Sequence, residues 1–243
     1  MSWHLKRMAA FDLETTAADP EQARIVTACV VQVGGGQPPQ PATWVADPGV
    51  DIPDEAANIH GYTTERARAE GRPAAEVVEE ITAALGQVLA HGIPIVAMNA
   101  RYDLTVLDRE CRRHGLETLL DRYVDSMIWP VIDPFVIDKH VDRYRRGSRT
   151  LTALCEHYKV KLDGAHDSAA DAIAAAPGGV AAGGDPAGAG RDGYRGAAPR
   201  SDRLGPGAGG GAAGVLREDA WQGALDGHGA PGVAADPGAA CGR

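Results

Sequence analysis

Large apolar side chains are scarce at one end of this chain. Aromatic residues make up 5% of the 243 positions, and only two are phenylalanine. Residues 177–243 contain no Lys, Asn, Ile, Phe, Met or Thr. From Ile, Leu, Val, Met and Phe together they hold six residues: Val180, Leu204, Val215, Leu216, Leu225 and Val233. Such a segment cannot bury enough surface to offset its ordering entropy. This argues against two well-packed domains. It leaves 1–176 as the folded domain and 177–243 as a disordered Gly/Ala/Pro-rich tail, which carries 20 of the 31 glycines.

Other absences narrow the class. The four cysteines (Cys29, Cys111, Cys155 and Cys241) form no CxxC pair. That argues against a zinc site or a disulfide framework and suits a reducing cytoplasm. No apolar run reaches the roughly 18 residues of a membrane helix, and the N-terminal stretch lacks a signal-peptide core. A cytoplasmic protein without membrane contact is expected. Basic charge is also lacking, since the net charge is −9. General electrostatic binding of nucleic acid is disfavoured unless an acidic site recruits cations.

The order of elements in 1–176 points to an α/β fold. Arg7–Glu14 reads as a strand, Arg24–Val33 as a β-branched second strand and Ala42–Ala46 as a short third. Turns at Thr15–Pro20 and Gly34–Gly36 make them an antiparallel meander. Thr63 and Thr64 then cap a short helix, and Pro73 opens a longer one with Val77, Ile81, Leu85, Val88 and Leu89 at helical spacing. Ile93–Met98 has the continuous apolar character of a buried parallel strand. A helix is expected over about Tyr102–His114, a last strand over Val131–Ile137, and helices over Leu151–Tyr158 and Ser168–Ala176. A meander followed by alternating helix and strand is a mixed sheet flanked by helices, an order that RNase H-like folds share.

Acidic residues punctuate these elements. Asp12 and Glu14 end the first strand at i and i+2, so both carboxylates lie on one face. They read either as a solvated strand end or as a paired-acid site. Asp103 falls in the first turn of a helix, where an acid also favours the helix dipole. His166 and Asp171 occur in HDSAADAIAAA. Five residues turn a helix by roughly 500°, so His166 belongs to the loop before the helix that carries Asp171. A capping Asp167 with an incidental histidine is the plainer reading. Arg143, Arg145, Arg146 and Arg149 form a basic cluster, either a solvated loop or a phosphate-contacting flap.

Taken together, FDLETT, NARYD and HDSAAD resemble the motifs of the DEDD exonuclease superfamily, over roughly residues 6–176. The histidine five residues before the last aspartate matches the DEDDh branch. IHGYTTE (59–65) is similar to that family's HG-x-T segment. The likeness is close to bacterial proteins related to the epsilon proofreading subunit of DNA polymerase III. The resemblance implies an RNase H-like fold and a two-metal 3′→5′ exonuclease using Mg²⁺ or Mn²⁺. It implies that Asp12, Glu14, Asp103 and Asp171 hold the ions and that His166 is the general base. It further implies that Leu13, Thr15, Thr16, His60 and Asn99 line the pocket of the 3′-terminal nucleotide. The implied substrate is nucleic acid with a free 3′ end, single-stranded DNA preferred, with a DNA polymerase subunit as a candidate partner. Alternatives are an RNA 3′-end-trimming exonuclease and a catalytically impaired, nucleic-acid-binding polymerase accessory.

The tail bears on the last motif. An out-of-frame translation of GC-rich coding sequence would have its composition. PGGVAAGGD can be encoded so that reading one base onward yields RVAWRLAE, which would continue the helix beyond Ala176. A native disordered tail is the other reading. On both, the helix carrying Asp171 stops short at Pro177.

Overall fold

The computed structural model describes residues 6–122 and 127–160. His166, Asp171, the helix expected over Ser168–Ala176 and the tail 177–243 lie outside the described residues. Strands β1 (Met8–Thr15), β2 (Ile25–Val33) and β3 (Gln40–Asp47) form the expected meander, β1 antiparallel to β2 and β2 antiparallel to β3. Helices α1 (Asp54–His60) and α2 (Thr64–Glu70) follow, then the two-residue strand β4 (Arg72–Pro73) and the long helix α3 (Ala74–Ala90). Next come β5 (Ile95–Val96), α4 (Ala100–Arg113), β6 (Val131–Ile132), α5 (Pro134–Val141) and α6 (Leu151–Tyr158). The sheet runs β4-β3-β2-β1-β5-β6, with β4, β5 and β6 joined in parallel. This is the mixed, helix-flanked α/β sheet that the sequence predicts.

Burial explains the layering. Seven consecutive residues of β2, Ile25–Val31, are buried, so both faces of the sheet are covered at its centre. On one face Met8, Ala10, Cys29, Val31 and Val96 form a cluster against which Leu151 of α6 packs. Val26 with Ile52 and Ala67 forms a second cluster under α1 and α2. The predicted stripe of α3 (Val77, Ile81, Leu85, Val88, Leu89) is buried throughout. Gly71 ends α2 against β3. A Cβ there would stand 2.3 Å from the Ala67 carbonyl oxygen and 2.5 Å from the Asp47 nitrogen, so no larger residue fits. Among the described residues no helix is long and apolar enough to cross a membrane.

Four elements depart from the sequence reading. β4 (Arg72–Pro73) is an addition to it, and the strand expected over Ile93–Met98 is confined to Ile95–Val96. The strand expected over Val131–Ile137 stops at Ile132, and Pro134 starts α5 instead. Asp133 caps that helix by accepting a bond from the Phe135 amide at 2.9 Å, with proline at the first helical position. The β-branched residues of this stretch suggest a strand, but local capping chemistry decides. Helix α1 is unanticipated because none of its residues is buried. Its marks are two first-turn acids and Gly61 in the left-handed conformation.

Candidate active site

The site is built where β1 outlasts its parallel neighbour. β5 pairs only with Ala9 and Ala10, so the farther end of β1 has no strand on that side. The Leu13 amide would be an orphan donor there. It donates instead to Asp103 Oδ1 at 3.2 Å, across 90 residues of chain. Asp103 is only 4% exposed. The buried acid of α4 therefore meets the backbone midway between Asp12 and Glu14. These two are half-buried and point to the face they share with Cys29 and Thr27, their partners on β2.

Crowding of acids has an electrostatic consequence. Burial pushes the Asp103 carboxyl up to about 8, the bonds from its own and the Leu13 backbone oppose this, and the charges of Asp133 and Glu14 add to the rise. The acid thus resists ionisation until a positive charge joins it. Because this folded value lies above the unfolded one near ~3.9, the metal-free fold holds the proton more tightly than the unfolded chain. Its contribution to stability is complete below the unfolded value and is lost as pH rises through about 8. Asp103→Asn keeps the shape and the Leu13 bond but never ionises. It is expected to flatten this part of the stability–pH curve in EDTA-treated protein. Thermal unfolding from about pH 5 to pH 9 checks this, and an unchanged slope would contradict it.

The remaining sequence candidates divide by position. Leu13 is buried, and its amide rather than its side chain faces the site. Thr15 Oγ1 donates to the Ala17 carbonyl at 3.1 Å and lies 2.5 Å from the Tyr102 hydroxyl. Thr16 is buried and pairs with Arg24, donating its amide at 3.0 Å and accepting the Arg24 amide at 3.0 Å. It closes the turn after β1. His60 at the end of α1 is half-buried, with Nδ1 accepting the Tyr62 amide at 3.2 Å. Burial lowers its pKa, and the Thr15 backbone partly opposes that shift, which places His60 beside the end of β1. Asn99 adopts the left-handed conformation (φ 60°) in the turn before α4, which suits its residue type. His166 and Asp171 lie outside the described residues.

Two residues with no assigned role in the sequence reading belong to this region. Tyr102, one residue before Asp103, donates its hydroxyl to the Ala17 carbonyl and contacts Thr15, tying α4 to the turn after β1. Burial first, then the charges of Asp103 and Glu14, raise its pKa, while the Thr15 bond lowers it. Asp133 does more than cap α5. Its carboxylate also accepts the Asn99 and Ala100 amides, each at 3.0 Å, and so holds the entry to α4. One acid serves two helix starts. The Asp-Pro step that opens α5 is its only sequence signal. At the far end of α4 the fully buried Glu110 binds Arg24 at 2.6 Å and Arg113 at 2.8 Å.

The basic cluster is divided. Arg145 and Arg149 turn inward onto Asp138, which is fully buried. Arg143 and Arg146 remain exposed. Among the described residues no group of three or more His, Cys, Asp or Glu side chains stands close enough to hold a metal ion. The donors nevertheless suit a hard cation. They are carboxylate oxygens, and the most buried of them is under strain as an anion.

A family described as RNase_T, exonuclease, matches residues 9–177. The chain belongs to that exonuclease family. Its motifs place it in the DEDD superfamily, as the sequence resemblance implies. This exonuclease chain is 26% identical to the DNA polymerase III PolC-type of Lacticaseibacillus paracasei over 164 residues, 68% of its own length but 10% of that protein. Its fold is similar to Exonuclease I from Methylocaldum szegediense, with a TM-score of 0.57 and 20% identity over 72% of this chain and 40% of that one. E. coli Exonuclease I in complex with a dT13 oligonucleotide is similar at a TM-score of 0.57 and 18% identity, over 71% of this chain and 40% of that one. The chain therefore spans less than half the length of each of these relatives.

Proposed function

We propose that this chain is a metal-dependent 3′→5′ exonuclease that removes nucleoside monophosphates from single-stranded or frayed DNA ends, in proofreading or repair. The observation that carries the reading is the Asp103–Leu13 bond, which ties a buried acid to the backbone between Asp12 and Glu14. The solved complex of E. coli Exonuclease I with an oligonucleotide and the DNA polymerase relative favour DNA over RNA as the substrate. The polymerase relative alone suggests a polymerase subunit as a partner.

On this reading Asp12, Glu14, Asp103 and Asp171 would hold two ions, Mg²⁺ or Mn²⁺. The ions supply an activated water and charge stabilisation at the scissile phosphate. The His166 imidazole accepts the proton of the attacking water, since an unperturbed histidine titrates near neutrality. Water oxygen bonds to phosphorus, the P–O3′ bond to the preceding nucleotide breaks, and that O3′ leaves with a proton from solvent. The product is a nucleoside 5′-monophosphate. Leu13, Thr15, Thr16, His60 and Asn99 would line the terminal-nucleotide pocket. Tyr102 and Asp133 are positioning residues, because they fix α4 and thus Asp103.

Matched DNA and RNA strands carrying a 5′ label test the proposal, with Mg²⁺ or with EDTA. The expected result is a ladder shortening from the 3′ end, faster on DNA and only with the metal. Immediate release of the labelled end, cleavage in EDTA, or no cleavage at all would overturn it.

A further inference from the structure

Helix α5 carries a feature that the hydrolytic site does not use. Val136, Lys139 and His140 stand at i, i+3 and i+4 on one face of α5, and Arg143 follows in the turn just after its end at Val141. With Arg149 they line an open groove of about 630 Å³. Lys139, His140 and Arg143 are exposed. Of the nearby acids, Asp138 is buried and neutralised by Arg145 and Arg149, which leaves Asp142 at the margin. A protein of net charge −9 thus presents a local cationic strip. At its end Tyr144 is 86% exposed, with the Arg143 guanidinium 5.8 Å from its ring centre. The strip starts close to the site, because Asp133 bonds both the first turn of α5 and the entry to Asp103's helix. Eight helical residues extend it by about 12 Å.

We infer that this groove on α5 takes the phosphodiester backbone of the single strand upstream of the scissile end, with Tyr144 stacking on a base. A cationic groove with an exposed ring is the arrangement that holds single strands without reading their sequence. The inference rests on the nuclease reading only for which end of the strand is held. Arg149 lies in the groove but is committed to Asp138, so the working contacts are Lys139, Arg143 and Tyr144.

Binding of a labelled dT13 strand to the full chain in EDTA tests the groove independently of cleavage. Lys139→Glu with Arg143→Glu should weaken binding by roughly tenfold or more and reduce the slope of log K against log[salt] by about 1.4, the value for two single-strand phosphate contacts. The neutral pair Lys139→Gln with Arg143→Gln should lose less affinity but the same slope, and it carries the test if the reversed pair does not fold. Tyr144→Ala should lower affinity by a further roughly tenfold, with little change in slope. In Mg²⁺ the rise in KM should grow with strand length, large on dT13 and small on a dinucleotide. If wild-type protein cleaves dT13 and both pairs keep its salt slope and KM, the groove assignment is overturned and the nuclease reading stands. If wild-type protein binds the strand through these residues but hydrolyses nothing, the nuclease reading fails and the groove stands.

Discussion

Replacing Asp12 with alanine is expected to cut metal-dependent hydrolysis by about a thousandfold or more, some 4 kcal/mol of transition-state stabilisation. The residue is a half-buried carboxylate on the central strand, one position from the amide that anchors Asp103. On the proposed reading it would be one of the four carboxylates that hold the ions. The fold should survive. β1 is held by the antiparallel ladder to β2 and by β5, and neither depends on this side chain. The melting temperature of the metal-free protein should therefore change little. Initial rates in Mg²⁺ alongside thermal unfolding separate the two effects. Full activity with Asp12→Ala would remove the metal assignment.

The largest stability effect should come from Asp138. This carboxylate is fully buried, accepts two bonds from Arg145 at 3.2 Å and one from Tyr158 at 2.9 Å, and also pairs with Arg149. It joins α5, the loop after it and α6. Burial alone would raise its pKa, but Arg145, Tyr158 and Arg149 outweigh that and hold it below the usual carboxylate range. Asp138→Ala leaves two nearly buried guanidinium groups uncompensated and is expected to cost about 3–5 kcal/mol. Denaturant unfolding measures it. Replacing Asp138, Arg145 and Arg149 together with apolar residues of similar size should cost far less, because no charge is stranded. Since the folded value is depressed, the stabilisation is present above the unfolded value near ~3.9 and is lost as pH falls through the lower folded value. A loss well under 1 kcal/mol for Asp138→Ala would show that the cluster is solvated.

Local patterns made much of this fold readable in advance. The β-branched run before Gly34 marks β2, and the 3.6-residue stripe marks α3, because each pattern reports its own burial. Period two likewise puts Asp12 and Glu14 on one face. What escaped notice depends on distant partners. Nothing near Asp103 announces that the Leu13 amide, 90 residues away, lacks a strand neighbour. Nothing near Asp133 announces that Asn99 and Ala100, 34 and 33 residues earlier, need an acceptor. The Arg143–Arg149 cluster reads uniformly as surface charge, yet two of its members turn inward because Asp138 stands seven and eleven residues before them. The Val131–Ile137 stretch shows the converse. Its side-chain types favour a strand, and the Asp-Pro step within it was the stronger instruction.

The span between Leu13 and Asp103 also orders events during synthesis. The β1–β2–β3 meander is contiguous in sequence and can pair as soon as it emerges. Asp103 follows Leu13 by 90 residues, which at about 5–20 residues per second is a delay of roughly 5–18 s. Throughout that interval the nascent sheet carries both strand acids without the helix that completes their surroundings. A ribosome-bound chain halted before residue 103 would therefore hold a formed hairpin but no hydrolytic centre.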